Sequence, residues 1–165
     1  MKLIIKQYLS NLRERDELDV ILPDLLSQMG LNVFTRPGRG SRQYGVDVGA
    51  VGDLEGDPEK VYLFTIKAGD LTRNDWDTTP QPVRQSLNEI VDVYICNHLP
   101  AKYHNKEKEV CICIGGDVEE NVNLNIQSYI SDNKKHDITF SIWNGDKIAG
   151  LIQDYFLKEA NKITY

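Results

Sequence analysis

The chain has 165 residues, of which 41% are apolar and 27% charged, and its formal net charge is −6 at pH 7. This length and composition predict one globular domain with a hydrophobic core, and the negative charge argues against a general coat for nucleic acid. No apolar run approaches the roughly eighteen residues that cross a bilayer, and no signal peptide is evident, so we expect a cytoplasmic protein with no membrane partner.

The spacing of apolar residues predicts the elements of the first half. Leucine, isoleucine and methionine recur at helical intervals from about residue 6 to Gly30, with Pro23 as a kink or as the start of a second helix. A short strand is expected over 31–35. Two further strands, over 44–51 and 61–67, are separated by turn residues and are expected to form a hairpin.

The second half alternates helices and strands after a polar, irregular stretch over 70–82. The predicted elements are a helix from Val83, a strand over 109–114, a helix over 118–131, a strand over 137–143 and a helix over about 146–156. This order predicts an α/β domain, a central mixed sheet of about four or five strands flanked by helices on both faces.

Two of these strands contain the residues that indicate a chemistry. Asp47 lies in Gly45-Val46-Asp47-Val48, and Lys67 ends Leu63-Phe64-Thr65-Ile66-Lys67. Because side chains alternate along a strand, positions 65 and 67 share a face. A carboxylate and a lysine on neighbouring strands can hold a divalent metal and position a water for attack on a phosphate, which indicates metal-dependent phosphodiester cleavage. A simple structural ion pair between them is the alternative.

The cysteines indicate a cytoplasmic chain and offer a weaker metal site. Cys111 and Cys113 would share a face of one strand, where packed thiols are expected. Zinc bound by Cys96, His98, His104 and one strand cysteine is the alternative, although this spacing matches no known zinc pattern.

The order of elements and the two motifs resemble the PD-(D/E)XK superfamily, the restriction-endonuclease-like nucleases, over about residues 10–115. The resemblance implies a restriction-endonuclease-like fold and assigns the family's helical glutamate to Glu17, with Glu14 as its rival. It assigns the strand aspartate to Asp47 and the catalytic lysine to Lys67. Mg²⁺ or Mn²⁺ would be held by Asp47, Glu17 and the carbonyl of Ile66.

Thr65 stands where this family has an acid, and two interpretations follow. The carboxylate has moved to the next helix, where Glu89 shares a face with Gln85, or to Asp75 or Asp77 before it. Otherwise the site is degenerate, and the domain binds nucleic acid or a partner protein without cutting it.

A second group of residues is expected to contact DNA. The loop before Asp47 is rich in arginine and contains no acid, so its side chains would meet phosphates. The expected contacts are Arg39, Ser41, Arg42, Arg73 and Arg84. Trp76 either stacks on a base or packs against the sheet.

The resemblance also implies a biological setting. Residues 1–165 are expected to form a single restriction-endonuclease-like domain, either alone or as the N-terminal part of a longer protein. Its expected activity is cleavage of DNA in bacterial defence against phage, as a homo-oligomer or with additional domains of the same chain.

Overall fold

Five strands form one mixed sheet in the computed structural model, which describes residues 1–38, 43–54 and 56–157. The strands are β1 (Asn32–Thr35), β2 (Val48–Gly52), β3 (Lys60–Lys67), β4 (Lys108–Ile114) and β5 (Ile138–Trp143), and they lie side by side in chain order. β2 pairs with β1 and β3 in antiparallel fashion, whereas β3, β4 and β5 are parallel. The predicted hairpin and mixed sheet are confirmed.

Helices cover both faces of the sheet. They are α1 (Lys2–Ser10), α2 (Asp19–Gln28), α3 (Arg73–Asp77), α4 (Val83–Glu89), α5 (Ile95–Asn97), α6 (Glu120–Asp132) and α7 (Gly145–Ile152). Wider, π-type turns join α4 to α5 and extend α7. The α/β class is confirmed, and its layout is compatible with a restriction-endonuclease-like fold. Within the described residues, no helix is long and apolar enough to cross a membrane.

Alternation along β3 separates two hydrophobic cores. Val61 and Leu63 pack on the face covered by α3, α4 and α6, whereas Tyr62 and Phe64 pack on the face covered by α1, α2 and α7. Thr65 continues the row of Val61 and Leu63 and is 2% exposed. Because the side chains of a strand alternate, Lys67 follows Thr65 on the face of α4.

The helical region predicted over about 6–30 is interrupted, but not at Pro23, which lies inside α2. A distorted turn, Glu14–Leu18, separates α1 from α2. Within it Arg15 is extended and Asp16 has a φ of 66°, in the left-handed region that aspartate tolerates better than most residues. The apolar periodicity is nevertheless real, since Leu9, Leu18 and other leucines of this segment are buried in one core.

The strand predicted over 44–51 begins only at Val48. Tyr44 and Gly45 have φ values of 52° and 85°, so the chain turns before it enters the sheet. This turn packs directly on α4, where a Cβ added to Gly45 would collide with the main-chain carbonyl oxygen of Ser86. Glycine at position 45 therefore permits both the left-handed conformation and the close approach to α4.

Substitution of Gly45 by alanine tests this contact, with Gly56→Ala as the matched control. Both glycines have a φ of 85°, but an added Cβ at Gly56 meets no atom of the described residues within 4 Å. We expect Gly56→Ala to lower the free energy of unfolding by about 1–2 kcal/mol, the cost of the left-handed conformation. Gly45→Ala should cost about 1–3 kcal/mol more, because it also overpacks the turn against α4. Equal losses in urea unfolding would contradict this account.

Candidate active site

A polar cleft of about 370 Å³ opens where β3 ends and β2 begins. Its walls come from five segments: the turn that leads into β2, the end of β3, residues 80–82 before α4, one face of α4 and the turn between α1 and α2. The acidic, basic and amide side chains that line it are Glu14, Gln43, Asp47, Lys67, Gln81, Gln85 and Glu89. Thr65 and Ile66 complete the β3 wall.

Asp47 lies at the base of the cleft and is attached to β3 twice. Its main-chain N–H donates to the carbonyl of Phe64 at 2.8 Å, and its Oδ2 accepts from the main-chain N–H of Ile66 at 2.7 Å. The N–H and C=O of one residue in a strand point to the same side, so the carbonyl of Ile66 is also directed towards the β2 side. The site therefore has one fixed carboxylate and one neutral carbonyl at the same edge of β3.

The environment of Asp47 opposes its ionisation. Burial raises the pKa of its carboxyl group to about 7, and the negative charge of Glu14 contributes in the same direction. The hydrogen bond from Ile66 and the positive charge of Lys67 lower this pKa but do not cancel the effect of burial. The pKa of Glu14 is also raised, because the effect of burial exceeds the opposing effect of the positive charge of Lys67. Of the three carboxyl groups that line the cleft, Asp47 and Glu14 share the influence of one lysine, whose charge offsets theirs only in part.

Glu14, rather than Glu17, is the glutamate that the structure brings to this cleft. Glu17 is turned into a local ion pair, in which its Oε1 accepts from Arg13 Nε at 2.7 Å and from the Arg13 main chain at 3.1 Å. In a continuous helix, residues 14 and 17 would share a face. The left-handed Asp16 between them breaks that relationship, so the assignment of Glu17 to the metal site is wrong.

Helix α4 contributes Gln85 and Glu89 to the opposite wall, as their spacing of four predicted. The other acids considered for the role missing at Thr65 do not line the cleft. Asp75 accepts hydrogen bonds from the N–H and Oγ1 of Thr72 and caps α3. Asp77 pairs with Arg84 at 3.6 Å. Glu89 is therefore the candidate on the α4 wall for the carboxylate that is missing at position 65.

The residues predicted to contact DNA are dispersed. Trp76 is 2% exposed and lies edge-on to Tyr129, with ring centroids 5.7 Å apart, so of its two predicted roles it has the packing role and does not stack on a base. The capping of α3 directs Trp76 into the core. Arg84 occupies a groove on the other side of α4, together with Trp76. Arg73 is exposed at the start of α3. Arg39, Ser41 and Arg42 lie outside the described residues.

The donor atoms at the cleft suit a hard divalent cation. Over residues 1–38, 43–54 and 56–157, no three His, Cys, Asp or Glu side chains are gathered as a metal-ligand group. Mg²⁺ needs fewer than three side-chain ligands, because it usually binds one or two carboxylates and keeps several waters. Asp47 and Glu14, with the Ile66 carbonyl, provide oxygen donors and excess negative charge. The zinc alternative fails for the same described residues, since His98 and His104 are not gathered with cysteines into a ligand group. Cys111 and Cys113 are buried in the core, as expected of packed thiols.

No protein-family model matches this sequence, and no curated protein matches it. Among solved structures, the chain is similar to the MspJI restriction endonuclease in complex with a 27-mer oligonucleotide, with 13% sequence identity and a TM-score of 0.39. The similarity covers 82% of this chain but only 26% of that one, so the chain spans about a quarter of its length. A likeness of this strength does not establish a fold or an activity.

The raised pKa of Asp47 predicts a specific pH dependence of stability. Because the pKa is about 7 in the folded protein and 3.8 ordinarily, the folded state retains a proton that the unfolded chain loses above about pH 4. Stability from this group is therefore full at low pH and decreases as pH rises from about 4 to about 7. Asp47→Asn keeps an acceptor for the Ile66 N–H but cannot ionise.

We expect Asp47→Asn to raise the free energy of unfolding by on the order of 2–4 kcal/mol near pH 8 and to change it little near pH 4. Urea unfolding across this pH range measures the difference. The exposed Asp24→Asn variant is the control and should leave the pH profile unchanged. A gain for Asp47→Asn that is the same at every pH would contradict the assignment.

Proposed function

We propose that this domain is a metal-dependent nuclease that hydrolyses phosphodiester bonds of DNA. The observation that supports the proposal is the position of Asp47, whose carboxylate is fixed 2.7 Å from the Ile66 main-chain nitrogen in a polar cleft that Glu14 and Lys67 also line. The PD-(D/E)XK resemblance of the same residues supports DNA as the substrate. It also supports a role in bacterial anti-phage defence, as a homo-oligomer or together with further domains.

In this proposal, Asp47, Glu14 and the carbonyl of Ile66 hold Mg²⁺ or Mn²⁺. A divalent cation bound there supplies Lewis-acid stabilisation of phosphate charge and lowers the pKa of a water. Asp47 is suited to this role because its carboxylate is already oriented by the Ile66 N–H. Burial makes ionisation of Asp47 unfavourable without a cation, so cation binding and loss of the Asp47 proton favour each other.

Lys67 acts on the phosphate group. Its ammonium can only donate hydrogen bonds, and it lies at the end of β3 on the cleft face. There it stabilises the negative charge that builds on the non-bridging phosphate oxygens during attack, and it orients the attacking water. In the absence of substrate it partly offsets the charges of Asp47 and Glu14.

Thr65 cannot supply the charge of the acid that it replaces. Its side chain is buried and lines the cleft, so a carboxylate must come from elsewhere if the site is active. Glu14 approaches from the turn between α1 and α2, and Glu89 approaches from α4. Two acids that line the same cleft as Asp47 and come from separate elements favour an active site in which the carboxylate has moved.

A catalytically degenerate module is the second candidate function. Two observations favour it. Within the described part of the chain, no three Asp, Glu, His or Cys side chains are gathered as metal ligands. In addition, Thr65 stands where the family has an acid. Such a module would bind nucleic acid or a partner protein through the same cleft without cutting.

Cleavage of supercoiled plasmid DNA with Mg²⁺ or Mn²⁺ distinguishes the two functions, and Glu14→Gln with Glu17→Gln forms the matched pair. Both variants remove one carboxylate of the same turn, but only Glu14 lines the cleft. We expect Glu14→Gln and Lys67→Ala each to reduce the cleavage rate about a hundredfold or more, because each removes charge that acts on the reacting phosphate. Glu17→Gln should retain nearly full activity.

The same assay tests Glu89, with Arg84→Gln on the other side of α4 as its control. A loss for Glu89→Gln comparable to that for Asp47→Asn would support a carboxylate supplied by α4. Full activity of Glu89→Gln would leave Glu14 as the second carboxylate. If the wild type does not cleave and Thr65→Glu creates cleavage, the degenerate module is the correct function.

A further inference from the structure

A second cavity, of about 480 Å³, lies next to the candidate active site. Its walls come from the turn between α1 and α2, the start of α2, the segment 36–38 after β1, and a group of residues that also line the cleft. The residues shared by the two cavities are Glu14, Gln43, Asp47 and Gln81. The cavities therefore lie side by side, and the proposed cation ligands Asp47 and Glu14 lie at the boundary between them.

Two arginines line the second cavity but not the cleft. Arg15 and Arg36 are both exposed, and neither guanidinium forms an ion pair with any residue that the structure describes. Arg13, two positions before Arg15, is by contrast paired with Glu17. A guanidinium has five N–H donors and no acceptor, and its planar fork matches the oxygens of a phosphate. Both arginines are therefore available to an anionic ligand in this cavity.

The position of Arg15 depends on the interrupted turn that also brings Glu14 to the cleft. Arg15 is extended, with a ψ of 134°, and the next residue, Asp16, is left-handed. A left-handed conformation in a residue other than glycine has a cost in free energy, and such residues are concentrated at functional sites. Here one short turn supplies a carboxylate to the cleft and a cation to the neighbouring cavity.

The same cavity has an exposed apolar surface. Val20, in the first turn of α2, is 52% exposed and lines the cavity together with the exposed Pro37. Asp16 and Asp19 line it as well, so a free anion would meet repulsion as well as attraction. A ligand that gains from apolar contact and from the two arginines at once fits this wall better. A nucleotide has that character, because its sugar and base have apolar faces and its phosphate is an anion.

We propose that the second cavity binds the nucleotide next to the scissile phosphate of a DNA strand. Its phosphate contacts Arg15 and Arg36, and its sugar and base pack against Val20 and Pro37. The inference rests on the proposed function, because it takes the strand that enters the cleft as the ligand. Asp47 lies at the boundary of the two cavities, so a strand that occupies both extends beyond the scissile bond. The preferred substrate is then a polynucleotide rather than a small phosphodiester.

Binding of a short fluorescent DNA duplex, measured by anisotropy over a range of salt concentrations with Mg²⁺ present, tests the two arginines. Every protein carries Lys67→Ala, which slows cleavage in the proposed mechanism, and a gel verifies that the DNA stays intact. The test variant is Arg15→Gln with Arg36→Gln. The matched control is Arg73→Gln with Arg84→Gln, which removes the same charge from two exposed arginines that line neither cavity.

We expect the test variant to bind about tenfold more weakly at low salt and to reduce the slope of log K against log salt by about two, because each arginine that neutralises a phosphate releases about one counterion. The control should stay within about twofold of its parent, since exposed charges away from the DNA are screened. Arg15→Lys with Arg36→Lys keeps both charges and should retain most of the slope. Unchanged binding by the test variant, an equal loss in the control, or no binding by the parent would overturn the inference.

Plasmid cleavage with Lys67 restored separates this inference from the nuclease proposal. Arg15→Gln with Arg36→Gln should raise KM about tenfold and leave kcat nearly unchanged, because the contacts lie beside the reacting phosphate and act equally in the ground and transition states. Cleavage with an unchanged KM would overturn the inference and leave the nuclease proposal standing. A wild type that binds DNA through Arg15 and Arg36 but does not cut it would refute the nuclease proposal alone.

Discussion

The hydrogen bond from the Ile66 main-chain N–H to the Asp47 carboxylate is the interaction on which the candidate site depends. It joins the turn before β2 to the end of β3 at 2.7 Å, and it orients a carboxylate that would otherwise be free to rotate. The turn itself is positioned by Gly45, whose missing side chain allows contact with Ser86 of α4. One strand end, one turn and one helix therefore define the cleft together.

The burial of the Asp47 carboxylate lowers the stability of the domain when no cation is bound. A carboxylate that is buried without a dedicated counter-ion prefers its neutral form, and the pKa of Asp47 near 7 expresses that preference. Glu14 increases the unfavourable charge, and Lys67 offsets it only in part. Perturbed acids of this kind are concentrated at functional sites, where stability is given up for binding or chemistry. A divalent cation with a phosphate substrate would satisfy both carboxylates and Lys67 at once.

The sequence was sufficient to predict the sheet because local and long-range preferences agree there. A nearly continuous run of apolar residues predicted β3, and the turn residues after β2 predicted its hairpin. Asp47 and Lys67 could be placed near each other because they flank the same antiparallel pair. The parallel strands followed from their separation by helices, which leaves room for a crossover connection.

The remaining features depend on contacts that a sequence pattern does not encode. Helical spacing does not distinguish Glu14 from Glu17, and only the left-handed Asp16 decides which of them faces the cleft. Trp76 lies in a polar segment, but the Thr72 cap starts a helix that buries it. The Thr72–Asp75 pair was a detectable capping signal.

Direct titration of the Asp47 carboxyl carbon by NMR, with and without Mg²⁺, tests the central claim most directly. The account predicts an apparent pKa of about 7 in the absence of a divalent cation and a clearly lower pKa when Mg²⁺ is present, because a bound cation favours the ionised carboxylate. An Asp47 pKa near the ordinary 3.8 without metal, or one that Mg²⁺ leaves unchanged, would contradict it.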